Sequence, residues 1–132
     1  MGESDAELYW RYIAESEAGW GDRAWRLKNR DDPSPASVVH NRLLGEVAVA
    51  PAAATDVLIE IAEAAPDDDD LRGHFFAGLL EDWVDGIPKD DAALLIGQAA
   101  ARSPAFRAFL SEGIDQHRIW TDREDLVRRC LG

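Results

Sequence analysis

The chain reads as an all-α protein, a single domain spanning residues 1–132. Three observations predict that class. Apolar residues recur at i, i+3, i+4 and i+7 along most of the chain. Helix-start signals precede those stripes: Ser4 with Glu7, Ser34-Pro35 and Ser103-Pro104. No segment sustains the two-residue alternation, rich in β-branched residues, that marks a half-buried strand.

About eight short helices follow in order. Ser4 and Glu7 form an S-x-x-E capping box, in which each side chain satisfies a free backbone N–H. Leu8, Tyr9, Tyr12 and Ile13 make the first stripe, and Gly19 is its stop. A second helix is expected over Asp22–Lys28, and a turn over Asn29–Pro33. Ser34 caps the third, with Pro35 at the first position, where a missing N–H costs nothing. That helix buries Ala36, Val39, His40, Leu43, Leu44 and Val47. Pro51 breaks it. The fourth helix carries Ala54, Val57, Leu58, Ile61, Ala62 and Ala65 inward, with Asp56, Glu60 and Glu63 on the opposite side.

Pro66 ends that helix, and Asp67, Asp68, Asp69 and Asp70 form an acidic connector. Asp70 or a neighbour is placed to cap the fifth helix, where acids meet the positive end of the dipole. The fifth helix packs Leu71, Phe75, Phe76, Leu79, Leu80 and Trp83. Gly73 and Gly78 lie within it. Each costs about 1 kcal/mol relative to alanine, which predicts close approach of a neighbouring helix. Gly86-Ile87-Pro88 turns the chain. The sixth helix uses Ala92, Leu95, Ile96, Ala99 and Ala100, and the seventh Phe106, Phe109, Leu110 and Ile114. Thr121 and Glu124 suggest a second capping box before Leu126, Val127, Cys130 and Leu131. Similar apolar-then-alanine stretches, Val57–Ala65 and Leu94–Ala101, suggest HEAT-like stacked helical hairpins, with an irregular helical bundle as the alternative.

Fourteen Lys and Arg stand against 26 Asp and Glu, a net charge of −12. This argues against nucleic acid or an anionic membrane as partner, because both need a basic surface. The imbalance is local. Residues 47–100 hold twelve acids and only Arg72 and Lys89 as bases, a net −10, whereas residues 101–132 are slightly positive. No apolar run approaches the ~18 residues of a membrane span. The single cysteine, Cys130, precludes an internal disulfide, and the acidic start is unlike a signal peptide. The expected location is the cytoplasm.

Motifs for chemistry are sparse. No phosphate loop, dinucleotide fingerprint or nucleophile elbow occurs. The Asp67–Asp70 run fails as a calcium loop: counting from Asp68, position five is Arg72 and position twelve is Leu79. His40 falls on an apolar stripe and reads as a satisfied core histidine. His117 lies beside Asp115 near a helix end, and no pair of histidines has metal-ligand spacing. Cys130, on an apolar side, reads as an inert buried thiol. No catalytic residue, metal or cofactor is assigned. The one enzymatic alternative places His74 with Glu81. The early tryptophans, with Tyr9 and Tyr12, read first as a core aromatic set; the alternative is a contact surface in which Trp10, Trp20 and Trp120 are candidate exposed anchors.

The segment Ala77-Gly78-Leu79-Leu80-Glu81-Asp82-Trp83 resembles the A-G-x-L-E-D-[LW] motif of a family of uncharacterised bacterial helical domains. Tyr9, Trp10 and Tyr12, then Trp25, and the late Ser103-Pro104-x-Phe106-Arg107-x-x-Leu110 are similar to it as well. The family usually has proline where this chain has Leu79. The resemblance implies an all-helical fold and no known activity. Few lysines and many alanines suit a high-GC bacterial source.

The expected function is a non-enzymatic acidic protein-binding module, immunity-protein-like, that neutralises a basic partner such as a bacterial toxin. Its expected contacts are Asp56, Glu60 and Glu63, extended by Asp67, Asp68, Asp69, Asp70, Glu81, Asp82 and Asp85. A helical scaffold or regulatory adaptor with an aromatic contact surface is the alternative.

Overall fold

The computed structural model describes residues 3–117 and 123–131, Gln116 and His117 in backbone only. Helix α1 (Asp5–Gly19) starts where Ser4 Oγ accepts the Glu7 N–H at 3.2 Å. Helix α2 (Arg23–Asp31) is capped by Asp22, whose carboxylate accepts the Ala24 N–H at 2.9 Å. It runs three residues beyond the expected end. Lys28 and Arg30 in its last turn favour the negative end of the dipole, and the chain leaves the helix just before Pro33. Helix α3 (Pro35–Val49) begins at the Ser34 cap and buries Ala36, Val39, Leu43 and Val47, as its stripe requires. A 3₁₀ turn, Pro51–Ala54, leads into α4 (Thr55–Glu63).

The expected fifth helix is one rod with a defect. Helix α5 (Asp69–Phe75), a π-helical segment (Phe76–Leu80) and α6 (Glu81–Gly86) follow without a break, every junction residue having right-handed helical angles. Asp68 is the cap that the acidic connector supplies; its carboxylate accepts the Leu71 N–H at 3.1 Å. Helix α7 (Lys89–Arg102) and α8 (Pro104–Glu112) are split by Ser103, fully buried, whose Oγ accepts the Phe106 N–H at 3.2 Å. A second π-helical segment, Gly113–His117, extends α8, and α9 (Glu124–Leu131) closes the described chain. Thr121 of the expected second capping box lies outside the described residues.

All helices except α2 contribute to one hydrophobic core. Trp83, Phe75, Phe106 and Phe109 are fully or almost fully buried, and Trp83 meets Phe106 edge-on at 5.2 Å between centroids. Burying a side chain of this size contributes about 1.5–3 kcal/mol. Two polar groups are seated with it. Trp83 Nε1 donates to Thr55 Oγ1 at 3.2 Å, and that hydroxyl donates to the Ala52 carbonyl at 2.9 Å. Arg123 Nη1 donates to the Val84 and Ile87 carbonyls at 2.6 and 2.7 Å, satisfying the end of α6, whose last acceptors have no partner in their own helix.

The fold class is therefore all-α. Helix α1 packs on α3, α4 and α5, and α4 packs on α8. In a solenoid each repeat touches only its neighbours, so these long-range pairings describe an irregular bundle and give no support to HEAT-like stacking. No helix among the described residues is long and apolar enough to cross a membrane.

Candidate functional site

Two surfaces concentrate the polar groups. The first is acidic. Asp56, Glu60 and Glu63, spaced i, i+4, i+7, share the solvent side of α4, because Leu58, Ile61 and Ala62 occupy the side turned to the core. Asp56 is 79% exposed and pairs with Arg102 Nη2 at 2.8 Å. Glu60 and Glu63 form no ion pair among the described residues. The chain passes from Glu63 straight into Asp67, Asp68, Asp69 and Asp70, all exposed. Glu81, Asp82 and Asp85 are further off, ~17–22 Å along the α5–α6 rod from Asp70 at 1.5 Å per residue. Glu81 is half-buried, and its carboxyl is pushed above the usual range by desolvation first and then by Asp85 and Asp82.

The second surface is a groove between α1, α3 and α5. Tyr9, Tyr12, Ile13, Ser16, Glu17 and Trp20 recur along one side of α1 at helical spacing. His40 and Leu44 come from α3, and Asp70, Gly73, His74, Ala77 and Gly78 from α5 and the π segment. Two adjoining cavities of about 480 and 370 Å³ share Ile13, His40 and His74. His74 Nε2 lies 2.7 Å from Glu17 Oε2, which fixes the ring. The His40 ring stacks on Tyr12 at 4.2 Å and on Tyr9 at 5.7 Å. Its Nδ1 is buried with no hydrogen-bond partner among the described residues. Desolvation chiefly, with some repulsion from His74, lowers the His40 pKa against a hydrogen bond to Asn41, and burial raises that of Tyr12.

Several expectations change here. His40 is half-buried with one unpaired ring nitrogen, so it is not a satisfied core histidine. Its stripe position is right, but the stripe borders a groove instead of a closed interface. His74 contacts Glu17, not Glu81. Among the described residues a Cβ at Gly73 or Gly78 would meet nothing outside its own helix within 4 Å, so none of the described helices approaches them closely; both lie in the groove wall. Trp10 is only 7% exposed because α1 is covered by α3 on one side and α4 on another. Its Nε1 donates to the Ile61 carbonyl at 2.8 Å, and so caps the end of α4. Trp20 is 61% exposed, as an anchor would be. Trp120, and the His117 side chain, lie outside the described residues. Cys130 is half-buried; burial raises its thiol pKa, and Sγ sits 3.5 Å from the Ala93 carbonyl.

Glu17 is a groove part that the sequence did not single out; Tyr12 reads there as a stripe residue, and the π segment as ordinary helix. Glu17 and His74 are 57 residues apart, and only the α1–α5 packing joins them. Among the described residues, no three His, Cys, Asp or Glu side chains converge as a metal site. Fold and surfaces together define an all-helical domain with an acidic helix face and a separate histidine- and aromatic-lined groove. Comparison of the chain with family models, with curated proteins and with solved structures returned no match.

Proposed function

We propose that this protein is a non-enzymatic binding module that holds a basic protein partner against its acidic surface. In its specific form the module is a cytoplasmic, immunity-protein-like inhibitor of a bacterial toxin, from the helical family that the Ala77–Trp83 segment resembles. One observation carries the reading: Glu60 and Glu63 stand exposed on one helix face beside Asp56, with Arg102 the one base paired to that face among the described residues. Charge left uncompensated within a chain attracts opposite charge from outside, and speeds encounter by about 10–10³-fold at low salt. Toxins that act on nucleic acid carry basic surfaces for their substrate, which makes an acidic inhibitor complementary to them.

The test is capture from the source lysate at low and high salt, followed by kinetics on the protein captured. A basic protein, released at high salt, is expected. The variant Asp56→Ser/Glu60→Ser/Glu63→Ser should associate about tenfold more slowly. Equal capture at both salt levels, or unchanged kinetics, would contradict the proposal.

A further inference from the structure

We infer that the groove between α1, α3 and α5 is a receptor for an arginine side chain of the partner; this rests on the partner being basic, as proposed above. A guanidinium carries five N–H donors and no acceptor, and its flat faces stack on aromatic rings. The groove offers the complement of each property. Asp70 presents a carboxylate that forms no ion pair among the described residues, and Glu17 a second, held at 2.7 Å by His74. Ser16 adds a hydroxyl. The stacked Tyr12 and His40 rings make a flat wall, and burial of His40 disfavours its charged form, which suits a wall facing a cation.

The mouth is built, not incidental. Trp20 stands 61% exposed yet meets Trp25 edge-on at 6.1 Å, and Trp25 lies so close to Gly19 that a Cβ there would come within 2.7 Å of its ring. The aromatic is thus held at the groove's end at the expense of any side chain at position 19. The opposite wall is opened by Gly73 and Gly78, where a Cβ would touch nothing.

The chain already uses the same recognition on itself. On another side of α5, Arg72 lies 4.5 Å over the Phe109 ring and donates to both Glu112 oxygens, at 3.2 and 3.4 Å. The groove repeats that pairing of aromatic face and carboxylate, with no guanidinium lining it among the described residues. Arginine fits better than lysine, whose ammonium is a compact point charge that a flat wall does not match.

The experiment titrates the full chain with acetyl-Gly-Arg-Gly-amide, to 10 mM at constant ionic strength, and with the citrulline peptide, its neutral analogue. Tryptophan fluorescence and amide NMR shifts report binding. Expected is saturable binding of the arginine peptide with shifts at groove residues, at least tenfold weaker binding of the citrulline peptide, and at least a tenfold loss in Asp70→Asn. Asp90→Asn/Asp91→Asn, exposed acids of α7 outside both surfaces, should bind the peptide as the unaltered chain does. No saturation, equal binding of citrulline, or an unaffected Asp70→Asn would overturn the inference. The two readings separate cleanly. If the basic partner is captured in a salt-sensitive way while the arginine peptide fails, the groove inference alone falls. If the peptide binds but the α4 variants leave partner capture unchanged, the acidic-face proposal alone falls.

Discussion

Replacing Gly73 and Gly78 by alanine should stabilise the protein. A glycine inside a helix loses more backbone freedom on folding than any other residue, and relative to alanine this costs about 0.5–1 kcal/mol. That gain is usually blocked where a Cβ has no room. Here a Cβ at either position meets no atom within 4 Å outside its own helix among the described residues, so none of them has to move to receive it. The double variant Gly73→Ala/Gly78→Ala should therefore gain roughly 1–2 kcal/mol, the two effects adding approximately, since neither methyl has a new partner. For a chain of this size that corresponds to a Tm higher by roughly 3–10 °C. Urea denaturation with an unchanged m-value measures it cleanly. A loss of stability would refute the reasoning, since it would mean that a neighbouring helix does need the space that the glycines leave. A gain would show that these glycines are kept at a cost in stability, as residues serving a function commonly are. Gly73→Leu would then distinguish room from backbone freedom, because it should fill the groove wall and abolish arginine-peptide binding while the fold persists.

Three further outcomes follow from the packing. Trp10→Phe leaves the Ile61 carbonyl without its 2.8 Å donor at the end of α4 and should cost about 1–3 kcal/mol in urea denaturation; an unchanged midpoint would remove that cap from the account. His40→Phe should flatten the stability–pH curve on the acid side. The fold lowers the His40 pKa from 6.5, so the unfolded chain binds more protons, and stability present above that pH is lost as pH falls below it; parallel curves for the two proteins would contradict this. Glu81→Gln should stabilise at neutral pH. Its raised carboxyl pKa penalises the ionised form in the folded state, and the advantage should disappear below about pH 4.5, where the unfolded carboxyl is protonated too.

How much of this was legible beforehand depends on where the signal lives. Ser34-Pro35 and Ser103-Pro104 announced their helices, because a cap is a local event written in adjacent residues. The stripes of α3, α4 and α7 were legible for the same reason, and Leu43, Leu58 and Ile96 are all fully buried. The sequence leaves Trp10 open between core and exposed anchor because a single stripe assumes one neighbour, and α1 has several. The π segment left no mark besides Gly78, since π and α turns accept the same side chains. The acidic residues of α4 were placed on their exposed side by spacing alone. The groove was not legible at all as a unit. Its two partners in contact, Glu17 and His74, belong to helices far apart in the chain, and the empty space beside Gly73 depends on what the neighbouring helices leave unfilled.

The central claim is that the uncompensated acids of α4 recruit a basic protein. Its most direct measurement is the association rate of the captured partner with the unaltered chain and with Asp56→Ser/Glu60→Ser/Glu63→Ser, each at two ionic strengths. Steering by these charges predicts a rate that falls steeply with salt in the unaltered chain, and a slower, flatter dependence in the variant. The same rate and the same salt slope in both proteins would contradict it.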